Sequence, residues 1–152
     1  MRISAKADYA VRAGAELATI ADGRPMRAEE IARHQGIPVH FLINILNELK
    51  IAGIVQSQRG VKGGYRLARP AEAITLAAII RAVEGPLASV HESRPEDMSY
   101  PAPAESLRDV WVALRVNLRG VLEKVTLAHL AGGALPAPVR KLLDEPDAWR
   151  AH

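Results

Sequence analysis

The stretch that most restricts the fold is the segment 53–69, which reads GIVQSQRGVKGGYRLAR. Two short runs that mix apolar and polar residues, IVQSQ and GYRLA, flank a glycine-rich centre. This pattern is typical of an antiparallel β-hairpin, because glycine readily adopts the positive φ angles that a tight chain reversal requires. We expect Gly60, Gly63 and Gly64 to supply those angles. The segment therefore predicts one two-stranded ribbon in a chain whose other patterns are helical.

The residues before the hairpin predict three helices. AKADYAVRAGAELATIA has apolar or small residues at helical spacing, MRAEEIARHQG forms a short second helix over about 27–35, and IPVHFLINILNELKIAG forms the third. The third helix has a buried stripe formed by Leu42, Ile45, Leu46 and Leu49. Pro38 suits its first position, since the missing N–H loses nothing there. A short turn containing Gly36 joins the second and third helices, which predicts a helix-turn-helix.

A helix-turn-helix followed at once by a hairpin is a winged helix. We therefore predict a mostly α fold, in which residues 1–84 form a winged helix-turn-helix domain with a two-stranded wing. Its last helix is LAAIIRAVEG, which Thr75 can cap. The segment 85–106 contains four prolines and few large apolar residues, so it is predicted to be a loop. Residues 132–152 form a tail with about one helical turn.

A long helix is predicted between the loop and the tail, over roughly 104–131. Its apolar residues are separated by intervals of four and three, which is a heptad pattern kept for nearly three repeats. Such a helix is longer than a small winged domain needs to cover its own core. The residues of this heptad pattern are Leu107, Trp111, Leu114, Leu118, Val121 and Val125, which form one apolar seam.

Composition limits the function classes. The chain has 49% hydrophobic and only 4% aromatic residues, which favours an aliphatic, helical core. It has no cysteine, and none of its five histidines forms an H-x-x-x-H pair, so we expect no disulfide and no metal site. There is no apolar run long enough to cross a membrane and no signal-peptide pattern, so we expect a cytoplasmic location. Because G-x-S-x-G, GK[ST] and close acid–base pairs are absent, we do not expect an enzyme.

The distribution of charge indicates an anionic partner. Residues 1–69 hold 11 Lys or Arg and 6 Asp or Glu, a net charge of +5, whereas residues 70–152 have a net charge of −2. Four cations and no acid lie in segment 53–69. A solvated edge that is charged to prevent strand pairing would also explain them. Because the hairpin follows a helix-turn-helix, we favour double-stranded DNA, with Arg59 and Lys62 in the minor groove or on its flanking phosphates. Arg66 and Arg69 are as easily solvated, or paired with Glu48 or Glu72.

The third helix is predicted to read bases in the major groove, where the N-terminal residues of a recognition helix touch base edges. Asn44 can pair with adenine, and Phe41 or Ile43 can meet thymine methyl groups. Three residues of this helix have an alternative role. Phe41 could pack against the first helix, and Ile43 could complete a contact inside the domain. His40 could be an ordinary surface residue. The full set of predicted DNA contacts is Lys6, Pro38, Val39, His40, Phe41, Asn44, Arg59, Gly60, Lys62, Gly63, Gly64 and Tyr65.

Four stretches in order, DYAVRAGAELA, IARHQGIPVHFLINILNELKIAGIVQSQRGVKGGYRLARP, ITLAAIIRAVEG and LRDVWVALRVNLRGVLEKVTLAHL, resemble the Rrf2 family of bacterial winged-helix transcription regulators. The resemblance covers about residues 1–131, and the RG-x-x-GGY-x-L wing is its most specific part. It implies a homodimer that binds an operator, with Arg59 as the wing arginine in the minor groove and the long C-terminal helix forming the dimer.

The resemblance also implies a sensor site, but this sequence departs from the family pattern there. Many members hold an iron–sulfur cluster through three cysteines in the loop before the long helix. Here that loop offers His91, Glu92, Ser93, Asp97 and Ser99. Asp8 and His34 lie in regions where some members supply a further ligand, but without sulfur they cannot hold a conventional cluster. We therefore expect no cofactor.

Taken together, the sequence predicts a dimeric repressor that binds an imperfect palindrome. Its signal would be a small molecule bound between the winged domain and the long helix, or a partner protein docked on the 85–106 loop. The alternative hypothesis is a winged-helix protein-interaction module whose basic wing docks an acidic partner instead of DNA.

Overall fold

The computed structural model describes residues 2–151. Its helices are α1 (Ala5–Ala18), α2 (Ala28–Gln35), α3 (Val39–Ile51), α4 (Leu76–Glu84), α5 (Leu107–Leu122), α6 (Leu127–Ala131) and α7 (Ala137–Leu143), and its strands are β1 (Val55–Gln58) and β2 (Gly64–Leu67). Short 3₁₀ turns occupy Ala71–Ala73 and Pro95–Asp97. The predicted mostly helical class, with a two-stranded antiparallel wing after a helix-turn-helix, is confirmed.

Helix α1 lies against α2, α3, α4 and α6. It begins at the Ser4 cap, whose hydroxyl accepts a hydrogen bond from the Ala7 N–H at 3.0 Å. Its buried residues are mostly small, so neighbouring helices approach its backbone closely. A Cβ placed on Gly14 would lie only 3.1 Å from the side chain of Leu127 and 3.3 Å from that of Ile79. The small residues of α1 therefore determine how closely α4 and α6 pack on it.

The helix-turn-helix is closed by local backbone geometry. Gly36 ends α2 in the left-handed conformation, with φ of 62°, and the Ile37 N–H then bonds the Ala32 carbonyl oxygen at 2.9 Å. Arg27 precedes α2 in the N-cap position, but its side chain forms no capping hydrogen bond. Pro38 is the N-cap of α3 rather than its first helical residue, a difference of one position.

The wing is a regular antiparallel pair that joins the helix-turn-helix through a third chain segment. Val55 pairs with Leu67, and Gln58 pairs with Gly64. Tyr65 also exchanges two backbone hydrogen bonds with Met26, at 2.8 and 2.7 Å. The chain before α2 therefore adds a bridge to the ribbon, which the sequence analysis did not predict.

The wing glycines do not all serve the turn as predicted. Gly60 and Gly64 have positive φ, of 105° and 146°. Gly63 does not belong to this positive-φ group, so the predicted role for it is wrong. Space requires glycine there instead, because a Cβ on Gly63 would lie 2.3 Å from the Gln58 carbonyl oxygen.

The prediction of one continuous helix over 104–131 is wrong. Helix α5 ends at Leu122, and the chain then returns to the winged domain. The Leu76 N–H bonds the Val125 carbonyl oxygen at 2.9 Å, and the Leu127 N–H bonds the Ile74 carbonyl oxygen at 3.0 Å. Thr126 starts α6 with a capping box formed with His129. The burial of apolar side chains and this cap offset the free energy lost where the helix is interrupted.

This return also adds residues to the core of the winged domain. Val125 is 3% exposed and Leu127 is fully buried, with Leu127 in the same core as α1 and α3. The core of the winged domain therefore includes residues beyond the predicted boundary at 84. The tail contains α7, seven residues long, where one turn was predicted.

The segment 85–106 is largely irregular, as predicted, and it packs on α5. Pro95 is buried, Arg115 forms an ion pair with Glu96, and Trp111 donates its indole N–H to the Tyr100 hydroxyl at 3.2 Å. Among the helices of residues 2–151, none is long and apolar enough to cross a membrane.

Candidate nucleic-acid interface

Helix α3 presents an exposed face opposite its buried stripe. Leu42, Ile45, Leu46 and Leu49 are buried, as predicted. Val39, His40, Phe41, Ile43 and Asn44 are exposed. Phe41 is 49% exposed and Ile43 38% exposed, and neither belongs to the buried core. The predicted base-reading residues therefore share one accessible surface.

The start of α3 suits an anionic ligand electrostatically. The first turn of the helix contains no acidic residue, and Pro38 provides no side-chain cap. The unpaired N–H groups of a helix start carry partial positive charge. His40 and Phe41 lie at this end with their rings edge to face, 5.6 Å between centroids. This end of α3 therefore combines hydrogen-bond donors with exposed rings.

The tip of the wing is a second exposed surface. Arg59, Gly60, Val61 and Lys62 are all exposed, and Val61 is 90% exposed. Arg27 donates from Nη2 to the Val61 carbonyl oxygen at 2.8 Å. Because Arg27 directly precedes α2, this bond ties the wing tip to the helix-turn-helix. We define the interface as the exposed face of α3 together with residues 59–62.

Sequence reasoning missed Arg27 and Val61. Arg27 looked only like a poor N-cap, and Val61 had no role in the hairpin pattern. A cation in place of a capping residue was the available signal for Arg27. Its hydrogen bond depends on the folding back of the wing, which no local pattern in the sequence specifies.

Three predicted contact residues have a structural task in the wing. Gly64 lies so close to the chain before α2 that a Cβ would be 2.4 Å from the Met26 carbonyl oxygen. Tyr65 is half-buried and pairs with Met26 through its backbone, and Gly63 is buried. These residues hold the ribbon against the helix-turn-helix and thereby fix the position of its tip.

Lys6 is brought to the recognition helix, but with an acidic partner. Its Nζ lies 2.8 Å from Oε2 of Glu48, an ion pair that joins the start of α1 to α3. Glu48 was a predicted partner of Arg66 or Arg69, and that pairing is wrong. Between residues 2 and 151, neither of these two arginines forms an ion pair.

A polar network joins α1 to α2. Glu16 accepts hydrogen bonds from Nε2 of Gln35 at 2.6 Å and is 2.7 Å from Nδ1 of His34. Burial raises the pKa of the Glu16 carboxyl, but the hydrogen bonds from Gln35 and His34 outweigh it, so the net pKa lies below the ordinary value. Asp8 pairs with Arg12 at 3.0 Å.

These contacts bear on the iron–sulfur cluster that the family resemblance implies for many members. Asp8 and His34 already have partners, and the sequence contains no cysteine. Within the described part of the chain, no group of three or more His, Cys, Asp or Glu residues could hold a metal ion. The residues present do not fit a cysteine-held cluster, since every conventional cluster needs thiolate ligands.

Helix α5 carries the predicted dimer residues on one face, with one exception. Leu107, Trp111, Leu114, Leu118 and Val121 are half-buried, and no α5 residue is fully buried. Val125 lies beyond the end of α5 and is buried in the winged domain, so it is not part of this face. The α5 face, as we name these five residues, is an apolar stripe that the monomer covers only in part.

Comparison with known proteins identifies the family. A family model described as Rrf2, iron-dependent transcriptional regulator, matches residues 3–133. The chain belongs to the Rrf2 family. This confirms the resemblance drawn from the wing and helix motifs, and it confirms that the chain is not an enzyme, because Rrf2 proteins are transcriptional regulators.

Individual Rrf2 relatives agree with this assignment. The chain is 50% identical over 145 residues to a Mycobacterium tuberculosis protein named as an HTH-type transcriptional regulator, covering 95% of this chain and 90% of that one. It is 35% identical over 131 residues to the regulator CymR of Bacillus subtilis, covering 86% and 90%.

Solved structures show the same fold. The structure of B. subtilis CymR, described as the global cysteine regulator, has 34% identity and a TM-score of 0.73, covering 88% of this chain and 98% of that one. The structure of T. potens IscR has 28% identity and a TM-score of 0.68, covering 100% and 93%. The winged-helix architecture is therefore shared with both regulators.

Proposed function

We propose that this Rrf2 protein is a homodimeric, sequence-specific DNA-binding repressor that works without an iron–sulfur cluster. The observation that carries the proposal is the presence of two exposed surfaces suited to DNA, the acid-free start of α3 and the cationic wing tip. α3 would enter the major groove, and residues 59–62 would lie in the adjacent minor groove. The family membership supports DNA binding as the activity.

Within the interface, the proposed roles follow side-chain chemistry. Asn44 offers the donor and acceptor that pair with adenine, while Val39, Phe41 and Ile43 offer apolar contact to thymine methyl groups. Arg59 supplies the guanidinium that negative potential in a narrow minor groove attracts, and Lys62 pairs with phosphate. The N–H groups at the start of α3 would bind a backbone phosphate.

Dimer formation through the α5 face would set the spacing of two recognition helices. In a dimer the two α3 helices would enter the DNA about 34 Å apart, one helical turn, or a multiple of it. The operator would therefore be an imperfect palindrome whose symmetry matches that of the protein. Bound there, the dimer would exclude polymerase from an overlapping promoter.

A footprint on the DNA upstream of the protein's own gene tests the proposal. We expect wild type to protect a palindromic region, and Arg59→Ala to need about tenfold more protein for the same protection, since one arginine contact contributes about 1–3 kcal/mol. Arg69→Ala, a cation at the base of the wing, is the matched control and should behave as wild type. Equal protection by Arg59→Ala and wild type would contradict the wing assignment.

The same experiment addresses the alternative protein-interaction module. That module predicts no palindromic footprint at any protein concentration. A palindromic footprint that Arg59→Ala weakens, with the circular dichroism spectrum unchanged, would exclude that module as the main activity.

A further inference from the structure

A second cleft lies where α4, the loop that follows it and α5 meet, and it shares no residue with the DNA interface. Its volume is about 590 Å³. Arg81 projects into it from α4, Arg94 from the loop, and Arg115 and Arg119 from α5. Glu96 is the only acid among its lining residues within the described range. Small-molecule sites are clefts of about 300–1,000 Å³, so the cleft has a suitable size.

Two carboxylates hold three of these arginines in place. Glu96 pairs with Arg115, which is only 22% exposed. Glu123, which borders the cleft without lining it, pairs with both Arg81 and Arg119, the latter at 3.0 Å. Glu123 has a pKa below its ordinary value because these two guanidiniums donate hydrogen bonds to it. The arginines are therefore positioned before any ligand arrives.

The cleft retains positive charge after these pairs are counted. Four guanidiniums face two carboxylates, and the Arg94 side chain has no hydrogen bond or ion pair inside residues 2–151. Each guanidinium has five N–H donors in a planar fork that matches phosphate or carboxylate. A purely structural role, in which ion pairs hold α4, the loop and α5 together, would need only one arginine for each carboxylate. Such a role would not account for Arg94.

We propose that this cleft binds a small polyanion with at least two phosphate or carboxylate groups, and that this anion is the effector of the regulator. The effector role rests on the proposed function. One ligand would contact the winged domain through Arg81, the loop through Arg94, and α5 through Arg115 and Arg119. Because α4 packs on both α1 and α3, a ligand that changes how α5 is held against α4 changes the geometry of the paired recognition helices.

Isothermal titration calorimetry on the full chain, free of DNA, tests the site with pyrophosphate and citrate as probes at constant ionic strength. We expect saturable binding of at least one probe, and the better one identifies the class of anion. Arg94→Gln should weaken it about tenfold, and Arg94→Gln with Arg119→Gln about a hundredfold, since each substitution removes one charge-assisted contact with the anion.

Arg108→Gln is the matched control, because Arg108 lies on α5 outside the cleft and pairs with Asp109 at 3.1 Å. The affinity of the Arg108→Gln variant for the probe should equal that of wild type. Equal weakening by Arg108→Gln would mean that the anion responds only to net charge and would overturn the site. Absence of saturable heat with both probes would overturn it as well.

The effector role has its own readout. A saturating concentration of the better probe should change operator affinity severalfold in wild type and not in Arg94→Gln. An unchanged operator affinity in wild type would overturn the regulatory part of the proposal. Arg59→Ala should bind the operator about tenfold more weakly yet keep the probe affinity of wild type. Failure of the DNA-binding proposal would therefore leave the calorimetric result intact and is distinguishable from failure of the anion site.

Discussion

Gly60 and Gly64 both have positive φ in the wing, but their surroundings differ. Nothing lies within 4 Å of a Cβ built on Gly60, whereas a Cβ on Gly64 would lie 2.4 Å from the Met26 carbonyl oxygen. The first glycine serves backbone conformation alone. The second also allows the contact that attaches the wing to the helix-turn-helix.

Alanine substitutions separate these two effects. We expect Gly60→Ala to lower the free energy of unfolding by about 1–2 kcal/mol, the cost of a strained backbone angle. Gly64→Ala adds a backbone collision, and we expect it to cost more than about 3 kcal/mol. Urea denaturation followed by circular dichroism measures both. Equal stability of the two variants would contradict the close contact between Gly64 and Met26.

Glu16 makes a prediction about pH. Its folded-state pKa is lowered, so its contribution to stability is fully present above the ordinary glutamate pKa and is lost as the pH falls through the lower, folded value. Between about pH 5 and pH 3, the stability of wild type should therefore fall more steeply than that of Glu16→Gln. Thermal melts across this range measure the difference, with exposed Glu72→Gln as the control. Parallel curves for wild type and Glu16→Gln would contradict the network.

At the scale of single residues, helical periodicity was enough to predict which side chains of α3 are buried. The stripe of Leu42, Ile45, Leu46 and Leu49 follows from helical spacing alone, and the structure buries all four. The ion pair of Lys6 with Glu48 and the bond from Arg27 to Val61 do not follow from spacing. They join residues far apart in sequence, and only tertiary packing brings them within reach.

Among the elements, α5 shows where pattern reading fails. The heptad pattern continues through residue 125, so it gives no sign that the helix ends at Leu122. The break is stabilised by partners elsewhere in the chain, since the backbone of Val125 and Leu127 bonds Leu76 and Ile74. A periodic sequence cannot distinguish a stripe that faces a second subunit from one that turns back into its own core.

The α5 face predicts how the protein associates. We expect Leu114→Glu combined with Leu118→Glu to give a monomer, because two charges would be buried in an apolar contact. Val116→Glu is the control, since Val116 is 59% exposed and does not belong to the α5 face. Sedimentation velocity measures the mass of each. A dimer that survives the double substitution would contradict the α5 face as the subunit contact.

The hydrogen bond from Arg27 to the Val61 carbonyl oxygen is expected to hold the wing tip in position. We expect Arg27→Ala to weaken operator binding about fivefold, since the loss of one hydrogen bond of about 1 kcal/mol loosens the wing tip. Arg24→Ala is a suitable control, because Arg24 is exposed and pairs only with Asp22 nearby in sequence. Fluorescence anisotropy with a labelled operator gives both affinities. Wild-type affinity for Arg27→Ala would show that the bond does not position the wing.

At the scale of the whole molecule, positively charged side chains are concentrated in two separate regions. The exposed wing tip and start of α3 make up the proposed DNA interface, and the arginine cleft between α4 and α5 is a separate cationic region. The first could be predicted from the sequence, because its cations lie together in segment 53–69. The second could not, because its arginines are spread from residue 81 to residue 119 and only the fold gathers them.

The central claim is that the wing and α3 bind DNA together, and the salt dependence of operator affinity tests it most directly. Log affinity should fall linearly with log salt, with a slope of about −0.9 for each phosphate contacted. We predict a slope that corresponds to several contacts in wild type, reduced by about one in Lys62→Ala, with Arg69→Ala unchanged. A flat salt dependence in wild type, or an operator affinity no higher than that for a scrambled duplex, would contradict the account.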